Sequence, residues 1–146
     1  MAGTGMEWSA IAAATRRDVD LATRIVYARG TKNTFRARYV EVSEDWAWEI
    51  ARAHVAKLTP SAPLFDVDHD EALLVHHAAA EKLELPRTTL HQHRHGFAVM
   101  HIRRGTDHQW IKRQLGHSPR STLLYTTYGV FIDEAKLRRK AEEAGQ

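Results

Sequence analysis

Arg24-Ile25-Val26-Tyr27-Ala28-Arg29 and Thr34-Phe35-Arg36-Ala37-Arg38-Tyr39-Val40-Glu41-Val42 are two runs rich in β-branched and aromatic residues, separated by Gly30-Thr31-Lys32-Asn33. Gly and Asn between two such runs suit a tight reversal, so residues 24–42 are predicted as a β-hairpin with Lys32 at its tip. Everything on either side reads as helix. Upstream, residues 8–14 are good helix formers and set Trp8, Ile11 and Ala12 on one side. Downstream, Ser43 can cap a helix through Trp46, Ile50 and Ala53 to about Leu58, which Pro60 and Pro63 stop. A second helix runs from near Asp70 to about Leu83, before Pro86, and a third starts at a Thr88 or Thr89 cap. The third carries Leu90, Phe97, Ala98 and Ile102 inward and ends at Gly105, after Arg103 and Arg104 at its negative pole. Asp107 caps a shorter helix through Trp110, Ile111 and Leu115, closed by Gly116. A short turn or helix over Thr122 to Tyr125 and a polar terminal helix from Ile132 to Ala144 complete the pattern. One hairpin among helices predicts an α+β, mostly helical single domain with a small antiparallel β-sheet.

The 146 residues suit one domain, and 43% hydrophobic with 27% charged residues is the balance of an ordinary globular chain. Apolar runs are too short to span a membrane. The absence of cysteine removes thiolate nucleophiles, disulfides and zinc–thiolate sites, and fits a reducing cytoplasm. The net charge of +3 is unevenly spread: residues 1–40 carry seven basic and three acidic side chains, residues 41–85 three and ten, and residues 87–120 seven and one. The last block holds Arg87, Arg94, Arg103, Arg104, Lys112, Arg113 and Arg120 with six of the ten histidines. Such a block is either a polyanion footprint or a solvated basic face.

Within it, His91-Gln92-His93-Arg94-His95 puts His91, Arg94 and His95 on one helix side, with His93 pointing elsewhere. Imidazoles four residues apart can hold a metal ion, but a guanidinium between them repels a cation. The same face suits an anion, with Arg94 as a bidentate phosphate clamp and a histidine to donate or move a proton. A merely solvated surface is the third reading. Farther on, Leu115-Gly116-His117-Ser118 ends a helix and presents a histidine, and Tyr125 and Tyr128 follow in a Thr-rich stretch. In order, Lys32, His91, Arg94, His117 and a tyrosine supply a proton donor, a phosphate clamp and a nucleophile.

In these residues the chain resembles the catalytic domain of the tyrosine recombinases, the phage-integrase family. The resemblance rests on His91 to His95 continuing as Gly96-Phe97-Ala98, on Leu115 to Ser118, on Thr126-Thr127-Tyr128-Gly129, and on the hairpin with Arg36 and Arg38. Thr4-Gly5-Met6 and Arg16 to Asp20 align with the segment around the family's first arginine, so the likeness covers about residues 4–132. It implies site-specific recombination of double-stranded DNA without metal or other cofactor. Tyr128 would form a 3′-phosphotyrosyl link, with Arg94, His91 and His117 around the phosphate and Lys32 protonating the leaving oxygen. Arg36, Arg38, Arg103, Arg104, Lys112, Arg113 and Arg120 would contact DNA, and four copies would assemble on two duplexes. Two departures stand out. Glu7 occupies the first-arginine position, and a carboxylate there repels a phosphodiester. The family's N-terminal core-binding domain has no counterpart, so residues 1–146 read as an N-terminally truncated catalytic domain. Tyr128 lies two residues beyond the commonest family spacing from His117 and Tyr125 one residue short of it, leaving Tyr125 as the other candidate nucleophile.

Overall fold

The computed structural model describes residues 1–29 and 37–145. Helix α1 (Trp8–Ala12) leads through a 3-10 turn (Arg16–Asp18) into strands β1 (Val19–Asp20), β2 (Ile25–Ala28) and β3 (Arg38–Glu41). Helices α2 (Asp45–Val55), α3 (His69–Lys82), α4 (Leu90–Arg103), α5 (His108–Leu115) and α6 (Leu123–Ala144) follow. This is the mostly helical α+β domain with a small antiparallel sheet that the pattern predicts. The sheet order is β1-β2-β3, with Val19 opposite Val26 and Val26 opposite Val40. Their side chains share the buried face, while Tyr27 and Tyr39 pair on the other with ring centres 5.3 Å apart. The expected hairpin supplies β2 and β3, whereas Lys32 and Arg36 lie outside the described residues. The sequence pattern does not predict β1, since two residues carry no readable alternation.

Local chemistry sets the starts of α3, α4 and α5 and the end of α5. Asp68 and Glu71 form a capping box at α3, and Thr89 and Gln92 do so at α4. Asp107 accepts from the Trp110 N–H, and Gly116, left-handed at φ 68°, closes α5. Two expectations need correction. Ser43 does not cap α2: the cap position is Glu44, and the Ser43 hydroxyl instead meets His101 Nε2 at 3.2 Å. Leu123–Ala144 form one helix and not a short turn or helix followed by a separate terminal one, with a kink where Tyr128 leaves helical geometry (φ −122°, ψ 16°).

Buried apolar side chains form two clusters. One gathers Met6, Ala10, Val26, Val40, Trp48 and Leu64 from the N-terminal segment, the sheet, α2 and the loop after it. The other gathers Phe97, Ile102, Ile111, Leu115, Leu124 and Ile132 from α4, α5 and α6. Each large side chain so buried contributes about 1.5–3 kcal/mol. Polar links cross between the two halves: Arg94 to Gly5, Arg38 to Gln114, Ser43 to His101 and Arg104 to Glu44.

Candidate functional site

The site forms where these halves meet. Gly5 has φ +68°, and a Cβ there would stand 2.8 Å from the Phe97 ring, so a bare backbone is required for the chain to pass. That passage turns the Gly5 carbonyl toward α4. Arg94, buried one turn before Phe97, donates from Nη1 to Gly5 O (2.5 Å) and to Glu7 Oε2 (3.1 Å), and from Nη2 to Leu115 O (2.6 Å). Arg38, from β3, donates through Nε and Nη2 to Gln114 O at 3.0 and 2.8 Å, with Nη2 3.6 Å from Glu7 Oε2. A Cβ at Gly116 would lie 2.5 Å from this guanidinium, so glycine serves both the left-handed turn and the passage of Arg38. Two guanidiniums from different elements thus converge on one carboxylate, whose side chain is 13% exposed.

Beside them, Tyr128 is 6% exposed, and its hydroxyl lies 2.5 Å from His95 Nδ1. Burial raises the Tyr128 pKa, opposed by the positive charge of Arg94. Burial first, then the neighbouring His91 and Arg94, lowers the His95 pKa. At neutral pH the pair is therefore a phenol and a neutral imidazole, and a neutral imidazole at this distance is able to take the phenol proton. His91 is exposed and stacks edge-on against His95, ring centres 4.6 Å apart, so it reaches Tyr128 through that ring. His117 follows Gly116, half-buried, with its N–H on Lys112 O.

Arg94 is thus a buried clamp whose donors meet protein acceptors, and not an open surface guanidinium. Lys112 is 4% exposed and donates to Pro119 O at 3.1 Å, its ammonium 4.9 Å from the Tyr125 ring centre. Arg38 is likewise turned inward. Arg113 and Arg120 are exposed, Arg103 lies over Phe131 near Glu134, and Arg104 pairs with Glu44. Tyr125 is 43% exposed, edge-on to His108 and apart from the Tyr128–His95 pair. Sequence reading misses His95 as the partner of Tyr128. The signal that could have found it is its place on the Arg94 side of α4.

No protein-family model matches the chain, and no curated protein matches it. Among solved structures it is similar to one titled "Crystal structure of XerA recombinase", with a TM-score of 0.74 and 21% identity over 97% of this chain. The chain spans about half (53%) of that protein's length. The likeness shows the fold, which this chain shares with the matched half of that recombinase. No helix among the described residues is long and apolar enough to cross a membrane.

Proposed function

We propose that this chain is a recombinase-type duplex-DNA-binding domain whose strand-cleaving chemistry is withheld by its own Glu7. The observation that carries this reading is the Glu7 carboxylate seated between Arg94 and Arg38. Two converging guanidiniums form a site for a tetrahedral oxyanion, and here an internal anion fills it. A phosphodiester brought within about 4 Å of that carboxylate meets repulsion of about 4 kcal/mol, roughly a thousandfold in occupancy. Exposed Arg113 and Arg120 remain free of this conflict and suit phosphate contacts.

In the reaction so withheld, Tyr128 gives its proton to His95 and attacks phosphorus, breaking the bond to the 5′ oxygen. The products are a 3′-phosphotyrosyl link and a 5′-hydroxyl, with Lys32 supplying the leaving oxygen's proton. Arg94 and His117 stabilise charge on the nonbridging oxygens, and His91 supports His95. The partners in this reading are double-stranded DNA and further copies of the chain, four on two duplexes.

The test uses nicked suicide duplexes in chelator, scored for an SDS-resistant protein–DNA adduct. The expected result is salt-sensitive duplex binding without adduct in the wild type, and an adduct in Glu7→Arg that Tyr128→Phe abolishes. An adduct in the wild type refutes the role of Glu7. An adduct lost only in Tyr125→Phe moves the nucleophile to that residue.

A further inference from the structure

Away from this site, α3 and α4 meet at two imidazoles. His76, midway along α3, and His93, in the first turn of α4, place their Nε2 atoms 3.2 Å apart. The ring centres are 4.6 Å apart and the planes lie at 85°, so the rings are inclined to one another and not aligned end to end. Two nitrogens bound to one tetrahedral zinc at about 2.0–2.1 Å each stand about 3.3–3.4 Å apart. The pair therefore has the separation of two ligands on a single ion. Thr88 adds an oxygen 2.8 Å from His76 Nε2, while its carbonyl is 3.0 Å from His77 Nε2, which fixes the Thr88 backbone.

We propose that His76 and His93 form a binding site for a borderline divalent transition-metal ion that staples α3 to α4. The donor set selects the class: neutral imidazoles suit zinc, nickel and copper ions, whereas magnesium and calcium require carboxylate or carbonyl oxygen. Among the described residues no three His, Cys, Asp or Glu side chains gather as a metal site. The ion thus has two protein nitrogens, with the Thr88 hydroxyl and water completing its shell. Both imidazoles line a cavity of about 440 Å³, walled by Ala72, Val75, Leu90 and Trp8, which leaves room for those waters. Only Ala80 of α3 is fully buried, so this helix has little apolar anchoring of its own and gains most from a second fastening.

The test is titration of the metal-stripped full chain with cobalt(II), followed by visible absorption, with zinc as competitor. The expected result is one saturable equivalent, displaced by zinc, and a thermal midpoint that rises with zinc concentration. His76→Gln retains a hydrogen-bond partner for His93, so the fold is kept while binding weakens by more than about tenfold, as it does in His93→Ala. His91→Ala binds as the wild type does. Absence of saturable binding in the wild type overturns the proposal. So does binding that survives in both His76→Gln and His93→Ala, or that is lost in His91→Ala.

Discussion

Replacing Glu7 by glutamine removes one negative charge and almost no volume from between Arg94 and Arg38. Glu7 Oε2 is 3.1 Å from Arg94 Nη1 and 3.6 Å from Arg38 Nη2, with all three side chains largely buried. At an effective dielectric constant of about 20, each contact corresponds to roughly 5 kcal/mol of attraction, most of it offset by dehydration. Breaking a buried pair by removing one partner usually costs about 3–5 kcal/mol, because a charge is left uncompensated. Arg94 keeps the Gly5 and Leu115 carbonyls and Arg38 keeps Gln114 O, which lessens the loss. The expected destabilisation is about 2–3 kcal/mol, or a fall of roughly 5–10 °C in thermal midpoint for a domain of this size. An oxyanion entering the vacated site restores part of that loss. Scanning calorimetry of wild type and Glu7→Gln in chloride and in sulfate at equal ionic strength reads both effects. Sulfate raises the midpoint of most proteins, so the deciding quantity is the additional rise in the variant. If Glu7→Gln melts within about 1 °C of the wild type and gains no more from sulfate, the carboxylate is not the counterion assigned to it.

Burial holds the His93, His95, His101 and His108 pKa values below the ordinary histidine range. The unfolded chain then binds more protons than the folded one as pH falls below about 6.5, so stability declines there and is fully present above it; urea midpoints between pH 8 and 5 should show this, with a shallower slope in His101→Gln. Tyr128→Phe removes the hydrogen bond to His95 at a cost of about 1 kcal/mol, read by urea denaturation. Because burial raises the Tyr128 pKa, the same substitution should also remove absorbance from the late, high-pH end of a spectrophotometric phenol titration. Arg113→Gln and Arg120→Gln should each lower the salt-dependence slope of duplex binding by about 0.9 without lowering the thermal midpoint, and an unchanged slope removes that residue from the DNA-contacting face.

The elements most legible in the sequence are those whose ends carry their own chemistry. Thr89 with Gln92, Asp107 before Trp110 and Gly116 after Leu115 satisfy helix-end groups from within a few residues, so local reading suffices. The continuity of α6 is not local in that sense: a Thr-rich stretch looks like a break until Leu124, Tyr128 and Ile132 are seen packed together against α4. The order of Arg94 and Tyr128 along the chain is legible, and so is the helix side that Arg94 shares with His95. Their partners are not. Glu7 lies 87 positions from Arg94 and Gln114 lies 76 from Arg38, and charge alone does not say which arginine turns inward. Lys112 shows the same limit, since a lysine in a basic block reads as surface until a carbonyl such as Pro119 O is found within its reach.

The two apolar clusters, joined through polar links, have a mechanical consequence. Domains with one continuous core resist relative displacement of their parts, because any shift opens voids among close-packed side chains. Here the sheet side meets α4, α5 and α6 through the Arg94–Gly5, Arg38–Gln114, Ser43–His101 and Arg104–Glu44 links, with Gly5 passing close to the Phe97 ring. Gly5, Glu7 and Arg38 stand on one side of that boundary and Arg94 and Leu115 on the other, so the spacing of the two guanidiniums depends on how the two clusters are held together. An anion gripped by both guanidiniums would therefore tie one cluster to the other.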